Sequence, residues 1–166
     1  MLQSGHYACV IAIRRAVQED ADACVGILVG LPDYFTSDTH DEARTRIDKH
    51  LVWVAAETDS IEGFILVEHR YPTAAEITIA AVTPERQGTG IGTMLVERAL
   101  DHLRQVGVTL VEAKTLDESA GYEPYVATRA FWERRGFVQI DCIDSVPGWQ
   151  PGNPSALYVA ALSATR

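Results

Sequence analysis

The fold of this chain is decided by one stretch, Thr83-Pro84-Glu85-Arg86-Gln87-Gly88-Thr89-Gly90-Ile91-Gly92-Thr93. An apolar, strand-like run at 77–82 precedes it, and an amphipathic helical pattern begins near Gly90. Glycine at three alternate positions removes Cβ atoms from the turn, so that its backbone can approach a ligand closely. The unpaired N–H groups and the positive dipole end of the following helix point at the same place. These properties predict a site for a phosphate or a pyrophosphate.

Three classes of anion-binding loop are alternative interpretations of these residues. A P-loop requires lysine followed by serine or threonine, and no lysine lies in this turn. A dinucleotide-binding Gly-x-Gly-x-x-Gly pattern would need glycine at Thr93 or at Leu95, so it fails in both registers. The pattern that fits is Gln/Arg-x-x-Gly-x-Gly/Ala, read as Gln87, Gly90 and Gly92. It resembles the pyrophosphate loop of the GNAT superfamily of coenzyme-A-dependent N-acyltransferases.

Length and composition predict one globular domain with no nucleic acid, membrane or metal as a partner. A chain of 166 residues with 47% hydrophobic and 22% charged residues suits a single domain, which we assign to 1–166. The net charge of −9 disfavours nucleic-acid binding. No apolar run approaches the roughly 20 residues that span a bilayer, and no signal-peptide pattern is present, which predicts a cytoplasmic protein. The histidines and the three cysteines, Cys9, Cys24 and Cys142, lack metal-ligand spacing.

The chain alternates between strand-like and helical patterns. Strands are predicted at 8–16, 51–57, 61–70, 75–82, 108–116, 137–143 and 157–162. Helices are predicted at 19–31, 39–50, 90–106 and 125–135, the third from a stripe of apolar residues at helical spacing. This order predicts an α/β (α+β) domain with one mixed central sheet of about six to seven strands and helices on both faces.

The resemblance to GNAT enzymes extends beyond the glycine turn. The strand Ala75-Glu76-Ile77-Thr78-Ile79-Ala80-Ala81-Val82 precedes the turn, and the segment Ala130-Phe131-Trp132-Glu133-Arg134-Arg135-Gly136-Phe137 follows it further along the chain. The second segment is similar to the aromatic-Tyr-Glu-x-x-Gly-Phe signature of the family. The order and spacing of these segments match the family, so the resemblance covers a core of about residues 10–163.

The resemblance implies acetyl-CoA as the co-substrate and a splayed sheet that holds it. The strand ending at Val82 would part from the strand at 108–116, and pantetheine would lie in the gap beside the backbone of Ala81 and Val82. The N–H of Val82 would stabilise the oxyanion that develops during attack on the thioester. The loop backbone would hold the pyrophosphate through Gln87, Gly88, Thr89, Gly90, Ile91, Gly92 and Thr93.

Direct acyl transfer needs a neutral amine as nucleophile, and therefore a base. Glu76 is the candidate, because the segment that begins at Ala75 resembles the strand of histone-type acetyltransferases whose glutamate acts as base. Strand alternation places Glu76, Thr78 and Ala80 on one face and the intervening apolar residues on a core-directed face. Glu76 is therefore expected to face solvent or the cleft. A solvent-facing glutamate without a catalytic role is the competing interpretation, and Glu68 is a substitute base.

The sequence departs from the family at the general acid. The usual tyrosine lies four residues before the glycine of Gly-Phe, and here that residue is Trp132, whose indole N–H has no useful acidity. Helical spacing places Tyr125, Thr128 and Trp132 on one face. The resemblance implies coenzyme contacts on that face, because many relatives carry a coenzyme-contacting asparagine at the position of Tyr125. Tyr125 is the candidate acid, and a packing tyrosine in contact with the coenzyme is the alternative. Tyr122, or departure of the thiolate without an acid, are further alternatives.

The sequence says least about the acceptor. In the family architecture the acceptor site would be framed by Asp33-Tyr34-Phe35, the acidic segment 38–42 and the loop 149–154. Aromatic rings beside carboxylates suit an ammonium group. A solvated helix face and a packed loop explain the same residues. The leading function is an acetyl-CoA-dependent N-acetyltransferase that acts on a primary amine of a small molecule or peptide by direct attack in a ternary complex. The alternative is a coenzyme-A-binding module with weak or no catalysis, and the sequence leaves a homodimer open.

Overall fold

The computed structural model describes residues 10–144 and 146–163. The strands in these ranges are β1 (Ala12–Arg15), β2 (Leu51–Glu57), β3 (Ser60–Tyr71), β4 (Ala74–Val82), β5 (Leu110–Leu116), β6 (Val138–Ile143) and β7 (Ser155–Ala161). The helices are α1 (Ala21–Val29), α2 (Ser37–Arg46), α3 (Ile91–Gln105) and α4 (Tyr125–Glu133). Each predicted element is present: β2 has the predicted ends, and the others have shifted ends. The predicted first strand, 8–16, is shorter, and its residues 8 and 9 lie outside the described ranges.

The seven described strands form one sheet in the order β1-β2-β3-β4-β5-β7-β6. Neighbouring strands are antiparallel except β4 and β5, which are parallel and are joined through α3. A long helical connection is required there because parallel strands cannot be linked by a tight turn. The prediction of a single α/β domain with a mixed sheet of six to seven strands is confirmed.

The sheet separates two apolar cores. One core lies under α3 and α4: α3 directs its apolar stripe onto the sheet, and α4 adds Trp132. The other lies under α1 and α2, where Leu28 and Ala43 pack on Val54 and Leu66 of the sheet. Helices therefore cover both faces, as predicted.

The sheet opens between β4 and β5. These strands pair only from Ala74–Leu110 to Ile77–Ala113, whereas β4 stays paired with β3 as far as Val82. Beyond Ala113, β5 continues to pair with β7 on its other side. A gap therefore lies between residues 78–82 of β4 and residues 114–116 of β5, which is the splay that the resemblance implied.

A β-bulge at Thr78 changes the side-chain alternation of β4. Val67 of β3 pairs with Ile77 and Leu66 pairs with Ile79, so Thr78 is an extra residue. Ile77 consequently points into the core under α3 and Ile79 into the core under α1 and α2. The prediction that Ile77, Ile79 and Ala81 share one face is wrong for this reason, since uninterrupted alternation holds only without a bulge.

Candidate active site

A cavity of about 1010 Å³ occupies the gap between β4 and β5. Its walls are the α1–α2 connection, the glycine turn, one face of α4 and the loop between β6 and β7. Residues 77–82 of β4 and 114–116 of β5 form its sides. The splay of the sheet thus creates a cleft that the anion-binding turn and α4 both reach.

The register of β3 and β4 determines which backbone groups face the gap. The N–H of Thr83 donates to the carbonyl of Glu62 at 2.9 Å, so this pair is hydrogen-bonded. Alternation along an antiparallel ladder then turns the N–H and C=O of Val82 and Ala80 away from β3 and toward the gap. Ala81 lines the cavity, but its backbone groups face Phe64 of β3. Ala80 and Val82, rather than Ala81, therefore direct their backbone groups toward the gap.

Backbone conformation or packing favours glycine at each of the three alternate positions of the turn. Gly88 and Gly90 have φ values of 75° and 92°, which L side chains rarely adopt. A Cβ on Gly92 would lie 3.0 Å from Cε2 of Phe131, so glycine lets α4 approach the turn. The N–H of Met94 donates to the carbonyl of Gly90 at 3.0 Å, and the preceding N–H groups of α3 have no partner within the helix.

The predicted loop residues divide into two groups. Five of them line the cavity: Gln87, Gly88, Gly90, Gly92 and Thr93. The side chain of Gln87 donates to the Val82 carbonyl at 3.3 Å. Thr89 and Ile91 do not line it, because the Thr89 hydroxyl donates to the Arg86 carbonyl at 2.6 Å and Ile91 is buried in the core under α3.

Three arginines stand at the turn end of the cavity. Arg86, Arg134 and Arg135 line it, and Arg135 donates to the hydroxyl of Thr93 and lies over the ring of Phe131 at 3.5 Å. The buried Nε atoms of Arg86 and Arg135 make no hydrogen bond with any described residue. Arg86 is paired with the carboxylate of Glu57 at 3.3 Å, whereas Arg134 and Arg135 form no ion pair with a described residue. Guanidinium groups beside a helix N-terminus favour phosphate groups.

The face of α4 that lines the cavity carries Tyr125, Thr128 and Trp132, as helical spacing predicts. Trp132 is buried, and its ring meets those of Phe131 and Phe137 edge-on at 5.1 and 5.0 Å. It is a wall of the cavity and part of the core at once.

Tyr125 is fixed by a network that joins α4 to the α1–α2 connection. Its hydroxyl donates to the carbonyl of Tyr34 at 3.1 Å, and the hydroxyl of Tyr34 donates to the carbonyl of Pro124 at 2.9 Å. Burial, together with neighbouring Tyr34 and Tyr122, raises the pKa of Tyr125 to about 12. The phenol is therefore protonated at neutral pH, and its proton is already used in a hydrogen bond.

Glu76 faces neither solvent nor the cavity, contrary to prediction. It is only 6% exposed and does not line the cavity. It lies on the α2 side of the sheet, because the neighbouring Ile77 faces the core under α3. Its carboxylate accepts from Nε of Arg70 at 2.7 Å and from Nζ of Lys114 at 3.0 Å. Glu68, the substitute base, is also buried, and it pairs with Arg70 at 2.9 Å. Both carboxylates are thus held in ion pairs.

Lys114 lies between this ion-pair cluster and the cavity. It lines the cavity while its ammonium contacts Glu76 and Glu112. Burial opposes its charge, but the hydrogen bonds with Glu112 and Glu76 outweigh burial and raise the pKa of Lys114. Thr115, the next residue, is 3% exposed, and its hydroxyl has no hydrogen-bond partner among the described residues.

The features of the cavity fit a phosphate-bearing chain that carries peptide-like groups. Free N–H groups and guanidinium donors lie at one end, and the backbone groups of Val82 and Ala80 face the gap. Thr115, whose buried hydroxyl has no partner among the described residues, lines the cavity on the opposite side of that gap. A family model described as an acetyltransferase (GNAT) domain matches residues 48–139, more than half of the chain. The chain belongs to the GNAT acetyltransferase family.

One curated relative matches part of the chain. A mycothiol acetyltransferase from Beutenbergia cavernae is 36% identical over 103 residues, which are 60% of this chain and 32% of that protein. The chain therefore spans about a third of the length of the curated relative that it matches.

Solved structures share the fold over nearly the whole chain. A putative GNAT-family acetyltransferase from Desulfovibrio desulfuricans has a TM-score of 0.79 at 23% identity, covering 93% of this chain and 100% of that one. An aminoglycoside 6′-N-acetyltransferase in complex with coenzyme A has a TM-score of 0.73 at 18% identity, covering 93% and 99%. At these identities the likeness establishes the fold.

Several residues that line this GNAT cavity were not predicted from the sequence. Arg86 lies inside the quoted stretch, so its place beside the anion-binding turn was an available signal. Arg134 and Arg135 lie in the quoted Gly-Phe segment, and only the packing of α4 against the turn brings them there. Lys114 and Thr115 gave no such signal, because only the end of β4–β5 pairing brings them to the cavity.

The described residues include no group of three or more histidine, cysteine or acidic side chains that could hold a metal ion. They also contain no helix that is long and apolar enough to cross a membrane. Cys24 is a buried free thiol and Cys142 an exposed one, whereas Cys9 lies outside the described residues.

Proposed function

We propose that this chain transfers an acetyl group from acetyl-CoA to a primary amine of a small molecule or peptide by direct attack in a ternary complex. The observation that carries the proposal is a cavity running through a splayed sheet, with an anion-binding turn at one end. Membership of the GNAT acetyltransferase family supports acetyl transfer as the reaction. An amine is the acceptor class that the cavity suits best, because a carboxylate and aromatic rings line the end away from the turn.

The coenzyme would be held mainly by backbone groups and arginines. The first N–H groups of α3 and the guanidinium groups of Arg86, Arg134 and Arg135 would bind its phosphates. Ala80 and Val82 would pair with pantetheine as a neighbouring strand would. Thr115 would donate its unpartnered hydroxyl to a pantetheine carbonyl. When bound, acetyl-CoA supplies a thioester whose carbonyl carbon is open to a nucleophile.

The chain's own residues then stabilise charge rather than move protons. The N–H of Val82 faces the gap and would stabilise negative charge on the thioester oxygen while the amine nitrogen bonds to the carbonyl carbon. The carbon–sulfur bond then breaks and releases a thiolate. A thiol has a pKa of only about 8.5, so the thiolate can leave without an acid. Tyr125 would first have to give up its hydrogen bond to Tyr34 to serve as that acid.

Glu76 is assigned a positioning role within this proposal. Its carboxylate holds Lys114 at the floor of the cavity at 3.0 Å, and it has no access of its own to a bound amine. The amine would therefore attack from its neutral fraction, and the proton that its nitrogen releases as the amide forms would pass to water or to the departing thiolate.

Trp132 supports the alternative, a coenzyme-A-binding module with weak or no catalysis. It occupies the position of the usual tyrosine and cannot donate a proton to a thiolate. Under this alternative the cavity binds acetyl-CoA without a productive acceptor site.

Two measurements on the full chain separate these functions. Calorimetry with acetyl-CoA tests the coenzyme site, and release of free thiol in the presence of a panel of mono-, di- and polyamines and peptides tests transfer. We expect saturable acetyl-CoA binding and amine-dependent thiol release. Tight binding with no release for any amine would establish the binding module instead, and no binding would reject both.

A further inference from the structure

The charged groups of the cavity are separated along α4. Contacts of Arg135 with Thr93 place the C-terminal end of α4 beside the glycine turn. The hydrogen bonds of Tyr125 with Tyr34 place its N-terminal end beside the α1–α2 connection. Nine helical residues separate these ends, a distance of about 13 Å. The three arginines that line the cavity stand at the turn end.

The opposite end is anionic. Among the described residues that line the cavity, Asp33 is the only carboxylate. It accepts a hydrogen bond from the neutral phenol of Tyr122 at 3.2 Å, and within the described part of the chain it forms no ion pair. Lys114, the other charged group away from the turn, is neutralised by Glu76 and Glu112. The charge of Asp33 is therefore uncompensated.

Aromatic rings form the wall beside this carboxylate. The rings of Tyr34 and Tyr125 lie 5.1 Å apart, and those of Tyr122 and Tyr125 lie 6.0 Å apart. All three line the cavity, and Trp149 lines it from the loop between β6 and β7. Hydrogen bonds from each tyrosine hydroxyl fix the wall in place. A carboxylate among aromatic faces attracts an organic cation by charge and by cation–π interaction.

We infer that Asp33 and the rings of Tyr34, Tyr122 and Tyr125 bind a cationic group of the acceptor, distinct from the amine that is acetylated. The attacking amine must be neutral when it reaches the carbonyl beside Val82, whereas an ammonium group is retained at Asp33 by its charge. The acceptor class is therefore a diamine, a polyamine or a peptide that carries a second cation. The role of this site in acceptor binding rests on the proposed acetyl transfer, but cation binding itself can be tested without turnover.

The binding test uses a cation that cannot be acetylated on nitrogen. Choline and its neutral carbon isostere, 3,3-dimethylbutan-1-ol, are titrated into the coenzyme-A-loaded chain and followed by protein NMR. We expect choline to bind about 5-fold more tightly than the isostere, and Asp33→Asn to remove that difference. Asp38→Asn, which removes an exposed charge on α2 outside the cavity, should leave it unchanged. Equal binding of the two probes, no detectable choline binding, or an unaffected Asp33→Asn variant would overturn the inference.

The kinetic test compares 1,5-diaminopentane with 1-aminopentane. Asp33→Asn should lower kcat/KM about 5-fold more for the diamine than for the monoamine, without raising the KM for acetyl-CoA. Added salt should reduce the diamine preference of the unaltered chain, because screening weakens an exposed ion pair. Choline binding without thiol release would reject acetyl transfer while retaining the cation site. If thiol is released but Asp33→Asn lowers kcat/KM equally for both amines, acetyl transfer stands and only the requirement for a second cation is rejected.

Discussion

The ammonium of Lys114 lies 3.0 Å from Oε1 of Glu76, and only Lys114 of this pair reaches the cavity. Glu76 also pairs with Arg70, which in turn pairs with Glu68. The glutamate that sequence resemblance marks as a base is thus a buried partner of two cations. Replacing Glu76 should therefore reduce the stability of the fold more than it reduces the rate of catalysis.

Glu76→Gln is expected to lower the free energy of unfolding by about 2 kcal/mol, because Arg70 and Lys114 each lose one of two carboxylates. Urea denaturation measures this change. At a temperature where the variant is folded, kcat/KM should fall less than about 10-fold, whereas loss of a general base costs about 100-fold or more. Glu112→Gln, which removes a more exposed partner of Lys114, is the control and should cost under about 1 kcal/mol. A loss of about 100-fold with unchanged stability would restore Glu76 as the base.

Tyr125→Phe tests whether the phenol acts as an acid. We expect kcat to fall less than about 3-fold, since the Tyr125 proton is held by the Tyr34 carbonyl and the thiolate leaves without it. Stability should fall by about 1 kcal/mol, the value of one neutral hydrogen bond. Tyr34→Phe removes the neighbouring bond to Pro124 and serves as the matched control. A fall in kcat of about 100-fold or more for Tyr125→Phe alone would identify Tyr125 as the acid.

The fold could be predicted because its signals are local. Period-2 and period-3.6 patterns located the strands and helices, and the spacing of three glycines located the turn. The face that Tyr125, Thr128 and Trp132 share also followed from helical periodicity alone. These properties depend on residues that are close together in the chain.

The errors arose where the outcome depends on pairing between distant residues. The bulge at Thr78 is set by the register of β4 against β3, so strand alternation gave the wrong face for Ile79. The same register turns the backbone of Ala81 toward β3. The position of Lys114 depends on where β4 and β5 part, which no local pattern encodes.

Gly90→Ala is expected to weaken acetyl-CoA binding by about 10-fold or more, because an added methyl group occupies the space through which the pyrophosphate approaches the turn. Gly107 provides a matched control. Both glycines have positive φ, 92° and 87°, and a Cβ at either meets no protein atom within 4 Å. Both alanine variants should therefore lose about 1 kcal/mol of stability. Calorimetry should show weaker binding for Gly90→Ala only; equal affinity in the two variants would mean that the turn does not contact the coenzyme.

Asp117 should make the free energy of unfolding depend on pH in the acidic range. Its carboxylate accepts hydrogen bonds from Ser119 and Gln139, and the bonds with Ser119 contribute most to lowering the pKa of Asp117 to about 2. A lowered pKa means that the stabilisation is complete above the unfolded-state value near 4 and is lost as the pH falls toward 2. Asp117→Asn should therefore cost about 2 kcal/mol at pH 7, and its difference from the unaltered chain should shrink below about pH 4. Denaturant titrations from pH 7 to pH 3 test this, with the exposed Asp101→Asn as control; a difference that is independent of pH would exclude the carboxylate as its source.

Thr115→Val should change stability and ligand binding in opposite directions. The Thr115 hydroxyl is buried without a partner, so its replacement by a methyl group of similar size should raise the free energy of unfolding of the ligand-free chain by up to about 1 kcal/mol. If the hydroxyl donates to pantetheine, the same change should weaken acetyl-CoA binding by about 3- to 10-fold. Thr115→Ser keeps the hydroxyl and should bind acetyl-CoA like the unaltered chain. If Thr115 has only a structural role, the valine variant should change stability and acetyl-CoA affinity in the same direction, or leave affinity unchanged. Only a gain in stability together with a loss of affinity would assign the hydroxyl to the coenzyme.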